Sequence, residues 1–231
     1  MDLNLSLQWI PKYAGSIIKD GFYIPVLNVL LYAATKDFYL TTIIIQKLYT
    51  ANYYYHYEHL YHFVPHPYNW VKQFIRFTDT GHLVSFLYYF YPRMLPIAHN
   101  VHFMITFGYW FAKLFLGMED SDDRNNEPHI VVFEKFWTAT NHGLVYMILV
   151  YRLLTENHCN EYFTTTDFNY TVLWLYSWGF FIYIPWRYFT GDPVYSILAN
   201  DKPLKTILMA FVLMNSSSYI SNLVGYLITK C

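Results

Sequence analysis

Charged residues are scarce in this sequence: Asp, Glu, Lys and Arg together make up 13% of its 231 residues. A soluble domain wets its surface with roughly a quarter of its residues charged. The shortfall excludes an ordinary water-facing surface and makes lipid the expected surroundings. Cationic excess is missing as well. The formal net charge is −1 and there is no long basic block, which removes the electrostatic footprint of a nucleic-acid-binding protein. Cysteine is nearly absent. Cys159 and Cys231 stand far apart, too few and too distant for a zinc motif or a disulfide framework, so the redox compartment stays open. The start, MDLNLSLQWIPK, lacks the basic lead and clean apolar stretch of a cleaved secretory signal, which leaves targeting to membrane segments.

What fills the space is apolar and aromatic: 55% and 22% of the residues, with 25 Tyr. A bilayer core asks for about 20 mostly apolar residues per helix. Five segments meet that demand, at 77–92, 96–117, 137–154, 170–189 and 204–228. A sixth, 22–45, is interrupted by Lys36 and Asp37. A charge at a helix centre costs roughly 2.5–3.5 kcal/mol on insertion scales, so that segment lies on the surface, breaks, or hides the charges within the bundle. The expected fold is all-α, a multi-pass transmembrane helical bundle of five or six spans. Residues 1–69 form an N-terminal region with the doubtful first segment and a Tyr/His-rich interfacial stretch, and 70–231 form the bundle. The polar runs 119–129 and 155–167 read as exposed loops. Lys47, Lys72, Arg76, Arg124, Lys135, Arg187, Lys202 and Lys205 fall on one side, against Arg93, Arg152 and Lys230 on the other. The positive-inside tendency makes the first set cytosolic and puts the C-terminus across the membrane.

Histidine offers the first candidate chemistry. NYYYHYEHLYHFVPHPYNW (52–70) holds His56, His59, His62 and His66 interleaved with Tyr. Steps of three keep neighbours on roughly one helix face, which suits a metal. Tyr-rich segments beside a membrane helix are also what the headgroup level selects, and that reading is preferred. His82, His99 and His102 read as interhelical hydrogen-bonding groups, since the HxxxH and HxxHH boxes of membrane di-iron oxygenases are too few here. Arg152 and Arg187 read as snorkelling cations, and NSSS at 215–218 as a close-packing surface. Asn169-Tyr170-Thr171 spells a glycosylation acceptor too near the bilayer for use. No cofactor and no metal are expected.

NHGLVYMILVYRLLTENH (141–158), followed by an aromatic span ending PWRYFTGDPVYSIL, resembles the androgen-induced protein family over about residues 70–227. The matching features are the Asn141-His142 pair opening a span, Trp186 with Thr190-Gly191 and Val194-Tyr195 closing the next, and Met214-Asn215 within the last. The resemblance implies a small multi-pass membrane protein related to threonine hydrolases of fatty acid esters of hydroxy fatty acids. It also implies an intramembrane Thr nucleophile with a His partner. By position the nucleophile falls in FIRFTDTGH, with Thr78 first and Thr80 second. Asp79 is adjacent, and His82 lies one turn beyond Thr78 on the same face.

The chain departs from the family near the end of the later span, where the family's Trp and Pro give way to Pro193 and Ser196, and more seriously at the start of the earlier one. Members read Asn-His-x-x-His, the second His being implicated as catalytic; here that position is Val145, which neither accepts nor relays a proton. Three readings of Asn141 and His142 stay open. His142 takes over as base, although three residues turn it roughly 60° around a continuous helix. His82 serves from the nucleophile's own helix. Or catalysis is lost, and the pair is interhelical glue worth about 1 kcal/mol. The expected site is therefore Thr78, His142 and Asn141. The alternative is a non-catalytic lipid-binding or structural subunit of a membrane complex. The expected partners are membrane lipids and a second membrane protein, with no nucleic acid. The expected location is integral to the membrane, by default the endoplasmic reticulum.

Overall fold

A computed structural model describes residues 23–56, 71, 74–116, 118, 138–156, 158–159, 161–200 and 202–231. Among them the regular structure is all helix. The loop expected at 119–129 lies outside the described residues. So do His59, His62 and His66; His56 ends a helix.

The interrupted first segment breaks at its charges. α1 spans Ile24–Thr35 and α2 spans Phe38–His56. Between them Lys36 takes a left-handed conformation, φ 54°, which ends α1. Asp37 Oδ1 then accepts the Leu40 N–H at 2.8 Å, capping α2 as short acidic side chains do. Its Oδ2 meets Arg152 Nη2 at 3.4 Å. Arg152 is thus no free snorkelling cation: it lies over the rings of Tyr39 and Tyr88, 4.8 and 5.9 Å from their centroids, and ties the α1–α2 turn to the bundle.

The remaining elements are α3 (Phe77–Phe90), α4 (Leu95–Phe115), α5 (Leu144–Thr155), α6 (Thr165–Trp178), α7 (Ile184–Thr190) and α8 (Leu204–Thr229). α4 is the hub, packing on α3, α5, α6 and α8. Its apolar inner face, Ala98, Val101 and Met104, is fully buried together with Val84 of α3 and Leu149 of α5. Polar side chains complete that interior. Asn100 Nδ2 donates to Thr171 Oγ1 at 3.0 Å and Asn222 Oδ1 at 3.1 Å, so one amide joins α4, α6 and α8. His99 Nδ1 donates to the same Asn100 at 3.1 Å, and Ser85 Oγ and His102 Nε2 lie 2.6 Å apart. Asn100 and His102 stitch helices together, as expected for His102, whereas His99 bonds within α4.

α6 and α7 read in sequence as one span, and the chain runs through both with a defect between. Thr164 and Asp167 form a capping box at the start. Pro185 has no N–H and its ring crowds the preceding turn, so a π-turn at Gly179–Tyr183 precedes it, widening the helix locally. Gly191, φ 73°, terminates α7, a position that favours glycine.

Of the described helices, α8 alone is long and apolar enough to cross a membrane by itself. α4 has 21 residues but carries His99, Asn100 and His102, and α5 has only 12. The outer surface is nonetheless oily: Phe181, Tyr188 and Phe189 are 79–82% exposed, and exposed apolar area on this scale marks an interaction surface.

Two further sequence expectations need correction. The cysteines do pair: Cys159 and Cys231, 72 residues apart, are disulfide-bonded with their Cα atoms 5.4 Å apart. Spacing gave no hint because helix packing, not chain proximity, brings the 158–159 turn beside the end of α8. Arg187 does not snorkel either. Its Nη1 donates to Tyr183 Oη at 2.8 Å and the Leu198 carbonyl at 2.7 Å, and its Nη2 to Asn200 at 2.5 Å, holding the 191–200 loop against α7.

Candidate functional site

Thr78 is the second residue of α3, in the turn where backbone N–H groups have no intrahelical partner and the helix dipole is positive. This turn is pinned from outside. Asp79, nearly fully buried, receives Lys47 Nζ of α2 at 2.8 Å. Thr80 is unsuited to act, because its hydroxyl donates to the Phe77 carbonyl at 2.7 Å. Thr78 Oγ1 instead points across to His142, 3.5 Å from Nε2.

The partner is in place because the span expected at 137–154 is not one helix. Residues 138–141 are helical, His142 and Gly143 form a turn, and α5 begins at Leu144. The break frees His142 from the rotation that a continuous helix would impose. His142 Nδ1 lies 2.8 Å from the Thr138 carbonyl, an acceptor only, so Nδ1 carries the proton of the neutral ring. Nε2 is then an unprotonated acceptor facing a hydroxyl. Tyr109 stacks on the imidazole, 3.7 Å between centroids and 10° between planes, which fixes the ring's orientation. The gap of 3.5 Å is long for a hydrogen bond; such pairs tighten when substrate binds.

Thr78 and His142 share the wall of a cavity of about 370 Å³. The wall is overwhelmingly apolar and aromatic, built from α4, α6, the π-turn, the 191–200 loop and α8, and it includes Met104, Tyr109, Trp178 and Met214. The π-turn contributes Gly179 and Tyr183, so the Pro185 defect helps shape this space. A volume of this kind takes an apolar chain of moderate length, with a hydroxyl and a base at one place on its side.

The other sequence candidates lie elsewhere. Asn141 is buried, 5% exposed, and is not part of the cavity wall. His82, 3% exposed, is one turn deeper than Thr78 and lies beside His102, 6.1 Å between centroids, likewise off the cavity. Val145, where the resemblance would put a second His, is 1% exposed and packs in the core with Leu149 and Leu153. Within the 215–218 run Ser217 and Ser218 are buried and Ser216 is exposed: Ser217 and Ser218 donate to their own helix at the Met214 and Asn215 carbonyls, and Asn215 accepts from Tyr176 at 2.8 Å. No group of three or more metal-binding side chains occurs among the described residues.

Sequence reasoning missed two residues. Tyr109 left no signal, being one aromatic among many. Tyr195 was visible as part of Val194-Tyr195, and its hydroxyl accepts the Phe77 N–H at 2.8 Å, beside the nucleophile candidate. No protein-family model, curated protein or solved structure matches the chain.

Proposed function

We propose that this chain is a multi-pass membrane protein that hydrolyses fatty acyl esters, of the class of fatty acid esters of hydroxy fatty acids, with Thr78 as nucleophile and His142 as base. One observation carries the reading. A hydroxyl and an unprotonated imidazole nitrogen, 64 residues apart in sequence, meet at 3.5 Å on the wall of an apolar cavity. The resemblance to the androgen-induced protein family supplies the substrate class.

In the proposed reaction His142 Nε2 takes the Thr78 proton as Oγ1 attacks the ester carbonyl carbon. The tetrahedral intermediate collapses, the alcohol leaves with the proton from Nε2, and an acyl-threonine remains. Water, deprotonated by the same Nε2, then attacks the acyl carbon, and the acid leaves as the Thr78 hydroxyl is regenerated. His142 thus takes the part that Val145 cannot play.

Membrane integration is supported by α8 and by the exposed aromatic surface. Disulfides persist in oxidising compartments. In the proposed orientation the end carrying Arg93, Cys159 and Cys231 therefore faces the lumen, and the end carrying Lys47, Arg76 and Arg187 faces the cytosol.

The buried Val145 favours the rival reading, a non-catalytic lipid-binding or structural subunit. The test is turnover by detergent-solubilised protein of an ester between palmitic acid and a hydroxystearic acid. Thr78→Ala and His142→Ala are each expected to lower kcat by at least about 10³-fold, with Thr80→Ala near wild type. A folded wild-type protein that retains lipid but turns over no ester supports the rival reading.

A further inference from the structure

Tyr195 closes a loop held in an unusual conformation. Val194 has φ 62°, a left-handed value that β-branched residues avoid. The Tyr195 N–H donates to the Pro193 carbonyl at 2.6 Å, a three-residue turn of the strained kind. Asp192, fully buried, holds it there. Its Oδ1 accepts the Val194 N–H at 3.0 Å and its Oδ2 the Trp186 indole N–H at 3.0 Å. Asp192's own N–H donates to Thr190 Oγ1 at 3.2 Å. The Trp186, Thr190-Gly191 and Val194-Tyr195 features of the sequence thus form one device, and strain that is held this firmly is a mark of a functional site.

The device aims a phenol at the first turn of α3. The Tyr195 oxygen accepts the Phe77 N–H at 2.8 Å and lies against the Thr78 amide. Tyr195 is part of the same cavity wall as Thr78 and His142. A phenol whose oxygen is committed to a backbone N–H keeps its own O–H to donate.

We propose that Tyr195 is the oxyanion donor of this site: its hydroxyl hydrogen-bonds the ester carbonyl oxygen and holds it as negative charge develops under attack by Thr78 Oγ1. The inference rests on the reading of Thr78 as nucleophile. An acyl-transfer site needs such a donor, and the Tyr195 hydroxyl sits at the positive end of α3, where negative charge is favoured. Burial pushes the Tyr195 phenol up to about 12, with Arg76 and Asp79 the charged groups acting on it, so it remains a donor through neutral pH.

The experiment uses full-length protein in detergent and the palmitoyl ester of hydroxystearic acid. Tyr195→Phe is expected to lower kcat by about 10²–10³-fold while KM stays within about threefold, the pattern of an interaction made in the transition state. A second variant separates donation from packing: 3,5-difluorotyrosine at position 195, a phenol that ionises more readily. A phenolate cannot donate, so the alkaline limb of kcat is expected to move to lower pH. If the phenol only accepts the Phe77 N–H, ionisation strengthens that bond and the limb stays. A folded, active wild type with an unchanged Tyr195→Phe kcat, or an unmoved limb, overturns this inference alone. An inactive wild type overturns the nucleophile reading and this inference with it.

Discussion

Val145 stands where the resemblance would put a second histidine, and the proposed mechanism gives that histidine's part to His142. Val145 is 1% exposed among core aliphatics, whereas His142 reaches the cavity because its backbone turns before α5 begins. Restoring the family residue is therefore expected to fail. Val145→His places an imidazole at a buried position in the aliphatic core, at a cost of about 1–3 kcal/mol if it finds no partner. It should lower the melting temperature in detergent and leave ester turnover no higher than wild type; a rise in turnover would mean that position 145 reaches substrate. Thr78 and His142 were both picked out as candidates through the resemblance, Thr78 for its apolar-aromatic lead-in and His142 for the Asn-His pair. Their meeting was not legible, because it depends on a helix break at Gly143 that a run of apolar residues conceals. Tyr195 was harder still: the bond that gives it meaning joins residues 118 positions apart.

At the level of elements, the helical segments were legible from apolar run length, and the breaks in them only in part. Lys36 and Asp37 made the α1–α2 break one of three outcomes expected from the cost of burying charge. Pro185 lies within a segment read as one span, and neither the interruption before it nor the π-turn that brings Gly179 and Tyr183 to the cavity was foreseen. The close approach of α8 to the turn before α6 rests on Gly225, where a Cβ would overlap the ring of Phe163. Phe163 is buried, with φ 63°, and cannot easily withdraw. Gly225→Ala is expected to destabilise the protein by about 1–3 kcal/mol through overpacking, read as a lower melting temperature. An unchanged melting temperature would show that this contact is slack.

Across the whole molecule, two kinds of constraint hold the bundle: a polar stitch centred on Asn100 inside, and the Cys159–Cys231 bond at one end. The sequence reading named His82, His99 and His102 for bonds between helices, but not Asn100, Thr171 or Asn222, which make this stitch. The bond was not legible, since two cysteines 72 residues apart meet only once α5, α6 and α8 have packed. Cross-links of this kind stabilise by roughly 2–4 kcal/mol. Cys159→Ser is expected to lower the melting temperature by several degrees, and reduction of the wild type to produce the same drop. A wild type insensitive to reductant would remove the disulfide from the account, and with it the oxidising side assigned to that end.

The Thr78 hydroxyl as a covalent nucleophile is the claim on which the functional account turns. It is tested most directly by treating the detergent-purified chain with a fluorophosphonate hydrolase probe and mapping the adduct by peptide mass spectrometry. The account predicts one adduct, on the peptide carrying Thr78, absent from Thr78→Ala and strongly reduced in His142→Ala. An adduct on another residue such as Ser217, or none on a folded protein, would contradict it.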